Sequence, residues 1–483
     1  MLEGRPCVVR RLFPSSENMW PFMNYQLPDL DIKNGNCPLQ MDGDGDHQTN
    51  QWNKVTKLMD SSCPDDDEEE DSVVPQLDHQ DGSTIQHDRI YYYSFPQYDE
   101  PMKKHKVARN SENNSYDQPS DAGGDSSDSG SLLPRMNRDS SITCLSRCSR
   151  SDYGSLASLN RSFRNIIRSG ELYRWRRLSG IVEHWVYFSC ALLEWEAYDP
   201  IRQRWMHLPR MASNECFMCS DKESLAVGTE LLVFGRELRS HVIYRYSLLT
   251  NSWSSGMRMN APRCLFGSAS LGEIAILAGG CDSDGRILDS AELYNSENQT
   301  WEMLPSMNKP RKMCSGIFMD GKFYVIGGIG GRSDSKVLTC GEEYNLQTRT
   351  WTEIPNMSPG RSSTRGGSEM PATAEAPPLV AVVDNELYAA DYADMEVKKY
   401  DKERKLWITI GRLPERAVSM NGWGLAFRAC GKRLIVIGGP RTHGEGFIEL
   451  NSWVPGEQGP PQWHLLARKR SGNFVYNCAV MGC

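Results

Sequence analysis

The sequence predicts a mainly β fold: a six-bladed β-propeller over residues 181–483, closed by a C-terminal strand. A small all-α segment (131–178) and a disordered N-terminal region (1–130) precede it. Three observations carry this prediction. An aromatic couple of fixed spacing recurs along residues 181–483, apolar β-runs there end in paired glycines, and residues 1–130 show no apolar periodicity.

The aromatic couple is the strongest of these. Trp205, Trp253, Trp301, Trp351, Trp407 and Trp463 are separated by 48, 48, 50, 56 and 56 residues. Seven positions before the first five stand Tyr198, Tyr246, Tyr294, Tyr344 and Tyr400, with polar turns such as DPIRQR and NSENQT between. Aromatic, polar turn, aromatic fits two antiparallel strands that bury both rings on one face. Truncating one such ring is expected to cost roughly 3–5 kcal/mol through the cavity it leaves. Upstream, IAILAGG (Gly279, Gly280), FYVIGG (Gly327, Gly328) and LIVIGG (Gly438, Gly439) end buried strands where a Cβ would clash. Each interval therefore encodes a four-stranded unit of about fifty residues. The blades are placed at about 184–211 with 471–483, then 213–259, 262–307, 310–357, 372–413 and 416–466. The first unit opens near His184 without an innermost strand, and NFVYNCAVM near the C-terminus supplies one. That pairing closes the ring and removes exposed sheet edges.

Residues 1–130, rich in Asp, Asn, Ser, Gly and Gln, cannot bury enough apolar surface to offset chain entropy. The run Asp65–Asp71 supplies −7 of the net charge of −8, as a solvated tract or a docking segment. Lys103, Lys104, His105, Lys106 and Arg109 form a nuclear-import signal or an incidental basic patch. The remaining charge gives no global bias towards nucleic acid or membrane. No apolar stretch approaches the roughly 20 residues that span a bilayer, and the N-terminus lacks the apolar core of a secretory signal. The expectation is a soluble protein of the nucleus and/or cytoplasm, with no nucleic-acid or membrane partner. The fifteen cysteines form no disulfide framework. Cys216 and Cys219 lack a second pair at finger-like distance and are read as buried thiols, so no metal and no cofactor are expected.

Between 132 and 178 the pattern is helical. Asp139 can cap a helix carrying Ile142, Leu145 and Cys148, and Ser151 or Asp152 a second one. Along the second, Leu156, Leu159, Phe163, Ile166 and Ile167 make one apolar stripe, and Gly170 stands where a left-handed C-cap belongs. So small a core relies on a partner or caps the following domain.

The double glycine followed by Tyr and Trp resembles the kelch motif, giving a kelch-type propeller over 184–483; LLVFG, LYAAD and VYFSC depart from it in three units. Leu133–Pro134, ITCLSR and LASLNRSFRNIIRSGELY resemble an F-box, with Ser149 where that family usually has proline. The stretch LSGIVEHWVYFSCALLEWEAYDPIRQRWMHLPRM completes a resemblance to the plant F-box/kelch-repeat family. That resemblance implies a non-catalytic substrate-recognition subunit of an SCF-type ubiquitin ligase. Its F-box helices would dock the Skp adaptor, and through it cullin, by Leu133, Pro134, Ile142, Leu145, Leu156, Leu159, Phe163 and Ile167. Its propeller would bind an unknown target protein for ubiquitination.

Arg263, Arg311, Arg361 and Arg416 stand nine or ten residues after successive repeat tryptophans. One arginine per blade either rings the mouth to hold an acidic peptide or makes structural hydrogen bonds. Two rival readings frame the ligase subunit. An enzyme would need converging ligands or a nucleophile motif, and His184, His207, His241, His443 and His464 are nowhere three or four residues apart. A non-ligase kelch scaffold would use residues 132–178 only as a cap.

Overall fold

The structure, a computed structural model, describes residues 132–483 apart from 192, 215, 239, 332–335, 361–374, 416–419, 440–445, 457–458 and 471–473. The acidic run, the basic cluster, the reading of residues 1–130, Arg361, Arg416 and His443 lie outside the described residues.

Six four-stranded antiparallel sheets form the propeller. In chain order from the axis outwards, blade 2 is Phe217–Val227, Glu230–Glu237, Ser240–Ser247 and Ser252–Ser255. Blade 3 is Gly267–Leu271, Ile274–Ala278, Ala291–Asn295 and Thr300–Leu304. Blade 4 opens with Ser315–Met319, blade 5 with Val380–Val383 and blade 6 with Ala426–Cys430. Blade 1 takes its second to fourth strands from His184–Ala191, Glu194–Asp199 and Arg204–His207. Its innermost strand is the C-terminal Asn477–Gly482, paired from His184 opposite Gly482 to Ser189 opposite Asn477. The ring closes as the sequence requires.

The aromatic couples are equivalent. Tyr198–Trp205, Tyr246–Trp253, Tyr294–Trp301, Tyr344–Trp351 and Tyr400–Trp407 are direct cross-strand partners in the third and fourth strands. Their ring centroids lie 4.8, 5.4, 4.8, 4.8 and 5.2 Å apart. Polar turns set the register: Asp199, Asn295, Asn345 and Asp401 each accept two backbone N–H bonds from the turn that follows. The last unit lacks the tyrosine. There Trp453, buried in the third strand, stacks 5.9 Å from Trp463 and fills the place.

Each tyrosine packs into a core shared with the preceding blade. Tyr294 joins Leu232 and Phe234 of blade 2, and Tyr344 joins Ile276 and Ala278 of blade 3. Tyr400 joins Tyr324 and Ile326 of blade 4, while Tyr198 joins Ile435 and Ile437 of blade 6. The indoles reinforce these seams by donating to carbonyls of the preceding blade's exit. Trp253 donates to Pro209 (2.7 Å), Trp301 to Met257 (2.9 Å), Trp351 to Pro305 (2.7 Å), Trp407 to Met357 (3.2 Å) and Trp463 to Arg412 (2.9 Å). In blade 1 the Tyr198 hydroxyl makes the link, to the Leu466 carbonyl at 2.9 Å.

The paired glycines serve close approach. Gly279 and Gly280 have φ of 70° and 93°, and a Cβ on each would sit 2.3 Å from the Arg311 carbonyl and 2.4 Å from the Cys264 carbonyl. Beside them two buried ion pairs repeat, Arg263–Glu292 at 2.9 Å and Arg311–Glu342 at 2.6 Å. Each carboxylate also accepts two backbone N–H groups of the segment entering the blade. Each guanidinium caps the carbonyls where the second and third strands part.

Removing one partner of such a pair leaves the other charge buried and uncompensated. We expect Arg311→Met to lower the unfolding free energy by about 3–5 kcal/mol. Urea unfolding followed by tryptophan fluorescence measures it, and a loss within error of zero would show the pair to be dispensable.

Candidate adaptor-docking surface and the opposite propeller face

Four short helices precede blade 1: α1 (Arg138–Ser146), α2 (Tyr153–Leu159), α3 (Arg161–Arg168) and α4 (Glu171–Leu178). Asn137 caps α1, accepting the Ser140 N–H at 2.8 Å; Asp139, the expected cap, lies inside the first turn instead. Cys148 falls beyond the end of α1. The expected single stripe from Leu156 to Ile167 is also split. Asn160 leaves the helical conformation and caps α3 through the Phe163 N–H, 2.8 Å from its side-chain oxygen. The break turns Leu159 outwards, 68% exposed. Gly170 adopts φ 77°, as a left-handed cap requires.

The helices and the propeller share one core. Ile142, Leu145, Phe163, Ile166, Ile167 and Leu172 pack in a single cluster with Trp185, Tyr187 and Trp195 of blade 1 and Leu231, Val233 and Tyr246 of blade 2. Buried cations pin the seam. Arg150 donates to the Glu183 carbonyl (3.0 Å), the Met481 carbonyl (3.3 Å) and the Tyr187 hydroxyl (2.9 Å), and lies over the Trp185 ring. Burial pushes the Tyr187 hydroxyl up to about 12, so it stays protonated beside that cation. Arg176 donates to the Ser146 and Cys148 carbonyls at 2.9 and 2.7 Å and pairs with Glu183 at 3.4 Å.

This geometry corrects the expected docking set. Ile142, Leu145, Phe163 and Ile167 cover blade 1 and present no surface to a partner. Pro134, Leu159 and, on α4, Leu178 are exposed, whereas Leu133 and Leu156 are half-buried and pack against the shared cluster.

Of the two readings of the arginines, Arg263 and Arg311 take the structural one. Arg263 and Arg311 are 1% and 0% exposed, held within their own blades by Glu292 and Glu342, and do not ring the mouth. Of the cysteine pair, Cys219 is buried but Cys216 is exposed. Among the described residues no group of three or more His, Cys, Asp or Glu could hold a metal ion.

The helices sit at one face of the ring. Arg177 pairs with Glu273, in the hairpin between the first two strands of blade 3, and Leu248 and Leu249 of a blade 2 turn pack on the shared cluster. Among the described residues, the other face gathers the segments entering blades 3 and 4 and the loop after the second strand of blade 3. Near its axis lies Lys222, at an irregularity between Cys219 and Ser224 with φ 64°. Its backbone N–H donates to the Tyr476 carbonyl of blade 1. Its Nζ reaches past blade 1 to donate to the Leu425 carbonyl of blade 6 and stands 5.8 Å from the Trp423 ring centre. Burial, then the Arg428 guanidinium, hold Lys222 down at about 8, and burial pushes the adjacent Asp221 up to about 6. Sequence reading did not single out Lys222; the signal available was the pair Asp221–Lys222 where the other units enter the first strand with apolar residues.

Comparison with known proteins agrees with this architecture. A family model described as Kelch motif matches residues 262–308 and 310–358. The F-box/kelch-repeat protein SKIP11 of Arabidopsis thaliana is 61% identical over 499 residues, covering 100% of both chains. From the same plant, the F-box/kelch-repeat protein At1g26930 is 70% identical over 74% of this chain and 85% of its own. A third, At1g74510, is 64% identical over 73% of this chain and 79% of its own.

Lys222 has a measurable consequence. The folded state releases its proton near pH 8, whereas the unfolded chain keeps it to the ordinary value of 10.5. Between those values the unfolded state binds more protons, so stability rises with pH. We expect Lys222→Met to remove this rise, so that wild type gains on the variant as pH increases from about 8 to 10.5. Urea titrations across that window measure it; a pH-independent difference would refute the buried-lysine assignment.

Proposed function

Because this chain belongs to the F-box/kelch-repeat protein family, we propose that it is the substrate-recognition subunit of an SCF-type ubiquitin ligase, working in the nucleus or cytoplasm. The helices dock the Skp adaptor, and cullin through it, while the propeller holds the target protein. The observation that carries this reading is the placement of the helices. They are fixed to one face by a shared core, which leaves the opposite face and its loops free for a target.

The mechanism is positional. Tethering target and charged E2 in one assembly turns a bimolecular encounter into an intramolecular one and raises their effective concentration. A receptor of this kind needs no nucleophile, because the transfer chemistry resides on other subunits. What it needs is a fixed vector between adaptor and target. The cluster joining Phe163 and Ile167 to Trp185 and Trp195, with Arg150 bonded into blade 1, supplies that stiffness. Docking then falls to Pro134, Leu159 and Leu178, the exposed apolar groups of the helical segment.

One observation favours the scaffold reading: four of the apolar positions expected to meet an adaptor are used to cap the propeller. The two readings part in one experiment. Full-length protein with Leu159→Asp is expected to lose co-purification with the Skp adaptor while its melting temperature stays unchanged. Ile142→Asp, which puts a charge into the shared core, lowers the melting temperature instead. Failure of the unaltered chain to retain the Skp adaptor would favour the scaffold.

A further inference from the structure

Where the chain enters blade 3, Cys264 faces Cys281, which directly follows the glycine pair ending that blade's second strand. Each donates its backbone N–H to the other's carbonyl, at 3.0 and 2.8 Å, as a hydrogen-bonded antiparallel pair. In such a pair the Cα atoms stand about 5.5 Å apart, inside the roughly 4.4–6.8 Å that a disulfide spans. The sulfurs are 3.5 Å apart. Gly280 keeps the two segments this close, since any Cβ there would strike the Cys264 carbonyl.

From this geometry we propose that Cys264 and Cys281 form a reversible oxidation site that hydrogen peroxide converts into an intrablade disulfide. Cys281 is the attacking sulfur. The sulfur–sulfur contact, in which either atom can donate, holds a single proton between the two; Cys281 also lies near Lys312, which favours its thiolate, while burial pushes Cys264 up. The Cys281 thiolate attacks one peroxide oxygen; the O–O bond breaks, hydroxide leaves, and a sulfenic acid forms. Cys264 then attacks that sulfur, the S–S bond forms, the S–O bond breaks, and the departing hydroxide takes the Cys264 proton as water. Two thiols lose two electrons and one peroxide becomes two waters. At 6% and 7% exposure both residues are buried, which screens them from a tripeptide thiol, so each resolves the other.

The bond would lock a junction of three blades. Leu265, next to Cys264, donates its N–H to Glu223 of blade 2 and accepts from the Met313 N–H of blade 4 at 2.7 Å. The junction lies on the face away from the helices. Its effect on a target rests on the ligase reading; the chemistry does not.

The test uses the full-length reduced protein, exposed to hydrogen peroxide and then alkylated without reductant. No Lys or Arg lies between Cys264 and Arg286, so trypsin releases both thiols in one peptide. We expect that peptide to escape alkylation at both positions and to weigh two hydrogen atoms less than its reduced form. Cleavage after Glu273 should give two fragments that separate only on reduction. In Cys264→Ser, Cys281 should stop at the sulfenic acid or beyond, with no cross-link. Full alkylation of both cysteines after peroxide, a cross-link from either to another cysteine, or a sulfinic acid on wild-type Cys281 would each overturn the proposal. The wild-type map decides the matter even where the variant folds poorly.

Discussion

The structure depends on a single recurring junction: an indole N–H in the fourth strand bonded to a carbonyl of the blade before, with a tyrosine packed behind it. Tryptophan donates and does not accept, so its half-buried ring is satisfied within the protein only where a carbonyl is offered. The chain leaving each blade offers one at Pro209, Met257, Pro305, Met357 and Arg412. The couple therefore fixes the seam between blades as well as the fold of one. A sheet carrying it has its apolar side covered only by a neighbour; with five such indole bonds, and the Tyr198 hydroxyl making the sixth link, every seam is filled only in a closed ring.

Closure then dictates where the helices go. The first and second blades meet at a seam whose core also takes in Ile142, Phe163 and Ile167, and α4 runs almost directly into the His184 strand. The helical segment is too short to bury its own stripe well, and it completes that core on the wall of the ring. Arg150 bonds to the carbonyl of Met481 in the closing strand, so the helices also bear on the strand that shuts the propeller. For a positional mechanism this matters more than any single contact: a tether that flexed would dilute the effective concentration it exists to create.

Much of this was legible in the sequence, and the misses are instructive. The Tyr–Trp spacing reports cross-strand register directly, because seven positions span one turn and return to the opposite residue. Trp453 escaped because the last unit keeps an aromatic in the right strand but lengthens the turn after it, which breaks the count and not the core. Asn160 escaped because apolar spacing alone cannot show that a side chain will compete for the Phe163 N–H. The two readings of the arginines could have been decided from the sequence. Their periodicity was clear, but so was that of their partners: Glu292 and Glu342 each stand two residues before a repeat tyrosine. A charge that recurs together with its counter-charge at the same interval belongs to the scaffold.

That last point bears on where recognition can reside. Positions held alike by every blade are committed to seams, turns and carbonyl caps, and their side chains are buried by the repeat itself. Residues that break the repeat are the ones this scaffold does not claim. Lys222 is one: it sits at an irregularity between the first two strands of its blade, is held beside Leu425, Trp423 and Arg428, and carries a charge that burial disfavours. The regular part of the sequence builds the ring and fixes the helices to it.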